Sequence, residues 1–177
     1  MILYLVRHGE TNYNKTGKIQ GNMPTALNEV GKEQVRAAAE ELSNRKISAI
    51  IYSPLKRTTQ SAEIFKEKLG CSCWSDSRLV ERGFGKLKGA DVEKYTSKLD
   101  IYWDEKKNYS DSNFVEPILN FRERVQEFLN DLKLKEDGRK SFVIISHGTT
   151  LAMIAKILGN DIGELNIHNG DIIEVTL

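Results

Sequence analysis

A chain of 177 residues, 40% hydrophobic and 29% charged, can bury one substantial core and is too short for two full domains, so a single domain over 1–177 is expected. Its 26 Lys and Arg against 25 Asp and Glu leave a formal net charge of +1, and the two signs interleave, which excludes a global field aimed at nucleic acid or at an anionic membrane. Any anion site must be local. No apolar stretch reaches the roughly 20 residues of a spanning helix, and 1–6 is short for a signal peptide and has no basic leader, so a soluble, cytoplasmic protein is expected. Cys71 and Cys73 are the only cysteines. One residue apart, they are too close for a usual disulfide and too few for a zinc site, so they read as reduced structural thiols and no metal is expected.

In chain order, the apolar run 2–6 predicts a strand. Val35, Ala38, Ala39 and Leu42 then recur at helical spacing within 28–45. A second short strand, Ala49-Ile50-Ile51-Tyr52, stops at Ser53-Pro54, which reads as an N-cap serine and an N1 proline opening a helix with Leu55, Ala62, Phe65 and Leu69 inside. Gly70 closes that helix. Near Glu116-Pro117 another helix begins, with Ile118, Phe121, Val125, Phe128 and Leu132 as its stripe, followed by a strand at 142–145, a helix at about 150–158 and a last strand at 172–177. This alternation predicts an α/β three-layer sandwich, a mostly parallel sheet with helices on both faces. Residues 89–115, polar with scattered aromatics, resist the pattern and read as a short cap insertion over one sheet edge, helping to wall the site.

Three motifs follow three of the strands: Arg7-His8-Gly9, then Ser53-Pro54-Leu55-Lys56-Arg57, then Ser146-His147-Gly148. If the strands are parallel, all three share the carboxyl edge of the sheet, where open α/β folds bind ligands. Both histidines are followed by glycine, and Gly9 is expected to let a ligand approach the backbone. A fourth segment, Leu79 through Gly85, brings the carboxyl group of Glu81 and two glycines suited to a tight loop against a ligand. Two histidines, two arginines and a glutamate without metal suit phosphoryl transfer through a phosphohistidine. A neutral imidazole attacks phosphorus in line, guanidinium groups hold the nonbridging oxygens, and the carboxyl group protonates the leaving oxygen before activating water.

Val6-Arg7-His8-Gly9-Glu10-Thr11, with Asn14 beyond it, resembles the signature of the histidine phosphatase superfamily, which includes cofactor-dependent phosphoglycerate mutases, fructose-2,6-bisphosphatases and α-ribazole phosphatases. The likeness runs through Gln20-Gly21, Leu27 to Gly31, Ser53 to Arg57, Glu81 to Gly89 and Ser146-His147-Gly148. It implies that His8 is the phosphorylated nucleophile, that Arg7, Arg57 and His147 form the phosphate pocket, and that Glu81 is the proton donor. Asn14, Gln20 and Gly21 match residues lining the substrate phosphate site.

Departures from the family pattern stand at Pro24-Thr25-Ala26, in place of an acidic residue and a proline, and at Leu87, in place of an aromatic. A Gly-Glu-Ser segment reads Val115-Glu116-Pro117, keeping only the glutamate. The resemblance implies a metal-independent phosphomonoesterase, without a cofactor, for a small phosphorylated substrate such as α-ribazole phosphate. A cofactor-dependent mutase is the alternative. It is disfavoured because 89–115 is short and lacks the paired arginines with which mutases grip a carboxylated, doubly phosphorylated ligand. A noncatalytic phosphate-binding module is the alternative of another class, to which the joint presence of nucleophile and acid is opposed. His168 reads as an exposed turn residue, the aromatics Tyr95 to Phe114 as local packing, and Asp104-Glu105-Lys106-Lys107 as a solvated face. Neither nucleic acid nor membrane is expected as a partner, and the sequence does not give the oligomeric state.

Overall fold

The computed structural model describes residues 1–94, 115–136, 138–160 and 167–177. Most of the expected cap, with its aromatics and its charge run, lies outside the described residues.

Five strands form one sheet: β1 (Ile2–Arg7), β2 (Ala49–Tyr52), β3 (Ser72–Ser75), β4 (Ser141–Ser146) and β5 (Ile172–Thr176), in the order β3-β2-β4-β1-β5. The first four are parallel and β5 runs antiparallel along β1. Between them lie the helices α1 (Asn12–Lys15), α2 (Glu29–Glu41), α3 (Lys56–Leu69), α4 (Ile118–Lys135) and α5 (Gly148–Ile157).

Strand periodicity sorts the core into two layers. Leu3, Leu5, Ile51, Phe142 and Ile144 point to one face and pack with Phe121, Val125 and Phe128 of α4 and Leu151 and Ile154 of α5. Tyr4, Val6, Ile50, Val143 and Ile145 point to the other and pack with Val35, Ala38 and Ala39 of α2 and Ala62 and Phe65 of α3. At about 1.5–3 kcal/mol for each fully buried large side chain, these two layers hold the sheet as a rigid base. This is the three-layer arrangement that the alternation predicts.

Register carries that order to the site. Arg7 pairs with Ser146 across β1 and β4, and Tyr52 pairs with Ile145 across β2 and β4. The ladder continues one residue further, with the amides of His8 and Ser53 donating to the carbonyls of Ser146 and Ile145, both at 3.0 Å. His8, His147 and Ser53 therefore emerge side by side at the carboxyl edge.

Three details differ from the sequence expectation. Ser53 does not cap α3: the helix starts at Lys56, Leu55 occupies the N-cap without a side-chain bond, and the Ser53 hydroxyl is engaged elsewhere. Strand β3 was not expected, because Ser-Cys-Trp-Ser at a largely exposed edge offers no apolar alternation to read. The helix α5 begins at Gly148, with His147 itself in the N-cap position. Gly70 does end α3, in the left-handed conformation at φ 64°.

Candidate active site

Each histidine at the sheet edge is buried, and each is held by a specific partner. The Nδ1 of His8 lies 2.8 Å from the carbonyl oxygen of Gly9, which only accepts, so Nδ1 carries the proton. Its Nε2 then keeps a lone pair, which accepts from Arg57 Nε at 3.0 Å. The Asn169 amide donates to the His8 carbonyl at 2.8 Å, fixing the backbone behind the ring. His147 packs edge-on, with ring centroids 5.2 Å apart and planes at 62°, and its Nε2 lies 2.8 Å from Ser53 Oγ. Burial, then the charges of Arg57 and Arg7, holds His8 well below its ordinary value of 6.5; burial, then Arg57, His8, Arg7 and Arg124, does the same to His147. Both rings are neutral at physiological pH.

Two arginines stand against them. Arg57 comes from the first turn of α3 and is 1% exposed. Besides His8, it reaches the carbonyl of Gly21 at 2.7 Å, the carbonyl of Met23 at 2.9 Å and Thr25 Oγ1 at 3.2 Å. Burial pushes its guanidinium down to about 10, opposed by Glu81, and it stays charged. Arg7 donates through Nη1 to the carbonyl of Ile167, and burial lowers it too, with Glu81 and Asp171 opposing. Two buried side-chain polar atoms among the described residues lack a hydrogen-bond partner: Arg7 Nε and His147 Nδ1. Buried polar atoms without partners are costly; Arg7 Nε, which can only donate, suits an anion, and His147 Nδ1 does so in the tautomer that carries its proton there.

Glu81 sits partly exposed in the loop after a short 3-10 turn (Ser77–Leu79), where its Oε1 accepts from the Arg82 amide at 2.8 Å and from Thr150 Oγ1 at 3.4 Å. The loop is clamped from α4. Arg124 binds Glu116 through two nitrogens at 2.8 and 3.0 Å, and donates to the carbonyls of Arg78 at 2.6 Å, Val80 at 2.9 Å and Glu81 at 3.4 Å. Glu116 in turn accepts from the Gly83 amide at 2.9 Å, and its carbonyl accepts from the buried Arg82 at 2.9 and 2.7 Å. Arg124 was not singled out in the sequence. Its only signal there is a charge on the otherwise apolar side of a helix, eight residues after Glu116.

Of the expected substrate-site residues, Gly21 touches Arg57 directly through its carbonyl. Gln20 joins through Thr25, whose hydroxyl it accepts at 2.6 Å while Thr25 also accepts from Arg57. Asn14 is one step further out: it closes a reciprocal capping box with Thr11, and the Thr11 hydroxyl reaches Gln20 at 2.9 Å. Among the described residues it makes no hydrogen bond to the histidines or arginines of the cluster.

Gly9 acts differently from the expectation. A Cβ at Gly9 would lie 2.1 Å from the Gly31 carbonyl oxygen, so Gly9 admits the start of α2 rather than a ligand. A Cβ at Gly148 would lie 3.4 Å from Arg7 Cζ, an ordinary van der Waals contact that the guanidinium could tolerate. A Cβ at Gly83 would likewise meet Glu116 Cβ at 3.4 Å, an ordinary contact. Of these three, close packing of the site's own elements demands a glycine at Gly9 alone. His168 is exposed in its turn as expected, its amide donating to Asp171 at 2.6 Å. Among the described residues no three of His, Cys, Asp and Glu group to hold a metal, and no helix is long and apolar enough to cross a membrane.

Comparison with known proteins gives the same direction. The family model described as histidine phosphatase superfamily, branch 1, matches residues 3–177. Phosphoserine phosphatase 1 of Hydrogenobacter thermophilus is 31% identical over 166 residues, covering 92% of this chain and 78% of that protein. A protein of Enterobacter sp. strain 638 named "Probable phosphoglycerate mutase GpmB" is 35% identical over 162 residues, 89% of this chain and 74% of its own. Among solved structures, a mycobacterial glucosyl-3-phosphoglycerate phosphatase complexed with VO3 superposes with a TM-score of 0.84 at 25% identity, over 99% of this chain and 92% of that one.

Proposed function

The chain belongs to the histidine phosphatase superfamily, branch 1, and on that premise we propose that it hydrolyses the phosphomonoesters of small metabolites through a phosphohistidine on His8. The observation that carries this reading is the state of His8: neutral, with its proton pinned on the Gly9 carbonyl and the lone pair of Nε2 facing the Arg57 guanidinium. An imidazole so held is a nucleophile at neutral pH without deprotonation.

The steps follow from the surrounding groups. A phosphoryl group entering the cluster takes the Nε hydrogen of Arg57 from His8 and gains Arg7 Nε and His147 Nδ1 as further donors. Nε2 then attacks in line, and the charge spread over the nonbridging oxygens meets two guanidinium groups in a site of low dielectric. Glu81 protonates the leaving oxygen and, as the carboxylate, takes a proton from the water that cleaves the phosphohistidine. No step needs a metal or an organic cofactor. Gln20 and Gly21 belong to the loop that Arg57 grips, Asn14 braces it through Thr11, and the family resemblance assigns all three to the substrate phosphate site.

Phosphoserine and glucosyl-3-phosphoglycerate, named for relatives, lead the substrate panel together with α-ribazole phosphate. The free thiols Cys71 and Cys73 support a reducing, cytoplasmic setting. The mutase reading is favoured by the names of several relatives. It is opposed by the absence of paired arginines from the sequence of 89–115.

The test is turnover of p-nitrophenyl phosphate and of the panel in the presence of EDTA, from mildly acidic to mildly basic pH. Hydrolysis that EDTA leaves unchanged is expected. No turnover of any phosphomonoester sinks the phosphatase reading in favour of a binding module, and faster interconversion of phosphoglycerates with added 2,3-bisphosphoglycerate than hydrolysis would establish the mutase.

A further inference from the structure

Ser53 lies fully buried at the end of β2, and neither the site chemistry nor helix capping accounts for it. Its Oγ has two neighbours. The Leu55 amide donates to it at 3.5 Å, and His147 Nε2 stands at 2.8 Å. Among the described residues no carbonyl or carboxylate accepts from this hydroxyl. The one hydroxyl proton therefore has a single acceptor available, the Nε2 of His147.

From this geometry we infer that Ser53 is a positioning residue: it donates to Nε2 and thereby fixes His147 as the Nδ1–H tautomer, presenting a neutral donor to the phosphoryl oxygens.

The opposite assignment fails on hydrogen-bond accounting. If Nε2 carried the proton, Ser53 Oγ would receive two donors while its own O–H, fully buried, had no acceptor. Nδ1 would then bear a lone pair beside the place where phosphoryl oxygens bind, and lone pairs repel anions. With Ser53 donating, both ends are served. Nε2 has its donor, and Nδ1, buried and otherwise unpartnered, is left with a proton for an incoming oxygen. Burial and the arginines around the ring disfavour the doubly protonated imidazolium, so a neutral ring with a chosen tautomer is how this residue can donate. The two histidines then carry protons on the same ring position for different ends. His8 spends its Nδ1 proton on Gly9 to expose a lone pair, whereas His147 keeps its Nδ1 proton for the ligand.

The binding consequence rests on the phosphate-site reading; the tautomer does not. Nitrogen-15 NMR of the three histidines in the full-length protein, free and titrated with inorganic phosphate, separates the two. In the wild type His147 is expected to show a protonated Nδ1 and a lone-pair Nε2, and a proton on Nε2 overturns the proposal without any variant. In Ser53→Ala the ring should shift toward the Nε2–H form, and inorganic phosphate should bind about tenfold more weakly, the weight of one hydrogen bond to a charged acceptor. Ser53→Thr, which keeps the hydroxyl, should restore both. Retention of the wild-type tautomer and phosphate affinity in Ser53→Ala overturns the assignment. A wild type with the Nδ1–H tautomer that binds no phosphate overturns the phosphate-site reading and leaves the tautomer assignment standing.

Discussion

His8 and His147 differ from ordinary surface histidines in that the fold takes them out of water and surrounds them with positive charge. Both therefore titrate well below 6.5 in the folded state and near 6.5 when unfolded. The sign follows from proton counting. Below about pH 6.5 the unfolded chain binds protons that the folded chain refuses, so the stability these groups contribute is fully present above that pH and is lost as the pH falls. Each contributes a slope that rises from half of about 1.4 kcal/mol per pH unit at pH 6.5 toward the full value a unit or more below, while its folded form stays neutral. Urea denaturation between pH 7.5 and 5 should show stability falling below about 6.5, and His147→Asn should remove roughly half of that slope. A stability flat across this range would mean that the rings are not held neutral.

At the scale of elements, the loop carrying Glu81 is shaped from the side by α4. Arg124 reaches three carbonyls of the segment 78–81 and two oxygens of Glu116, with side chains only 18% and 21% exposed. Replacing Arg124 by Ala leaves the largely buried Glu116 carboxylate with only the Gly83 amide as donor and removes a donor from three carbonyls, and should cost about 2–3 kcal/mol, less than a fully buried pair because both groups keep some water. If the clamp also aims Glu81, the variant should lose more activity on an alkyl phosphate, whose leaving oxygen needs a proton, than on p-nitrophenyl phosphate. Equal losses on both would confine Arg124 to stability. The limits of sequence reading are plain at this scale. The strands β1, β2 and β4 and the stripes of α2 and α4 were legible because burial imposes a period on them. His8, Arg57 and His147 were singled out because each follows a strand whose end can be read, and Glu81 because of the glycines of its loop and the family resemblance. Arg124, the Ser53 hydroxyl and edge strand β3 were not, because partners 40 or more residues away, or an exposed face, leave no periodic mark. Gly9 misled for the same reason: it meets Gly31, a contact between segments that no local pattern displays.

Across the whole molecule, the register of three parallel strands does the assembling. Two apolar layers fix β2, β4 and β1 in that order, and the first residues beyond them are Ser53, His147 and His8. The fold thus brings two neutral imidazoles and two guanidinium groups together from segments 140 residues apart. The central claim is that the phosphoryl group passes through His8. Rapid mixing with excess p-nitrophenyl phosphate, quenching in base to preserve phosphohistidine, and mapping of the modified peptide by mass spectrometry tests it directly. The account predicts an acid-labile phosphoryl group on His8 that is absent from His8→Ala, which should also lose turnover. A phosphoryl group on any other residue, or full turnover by His8→Ala, would contradict it.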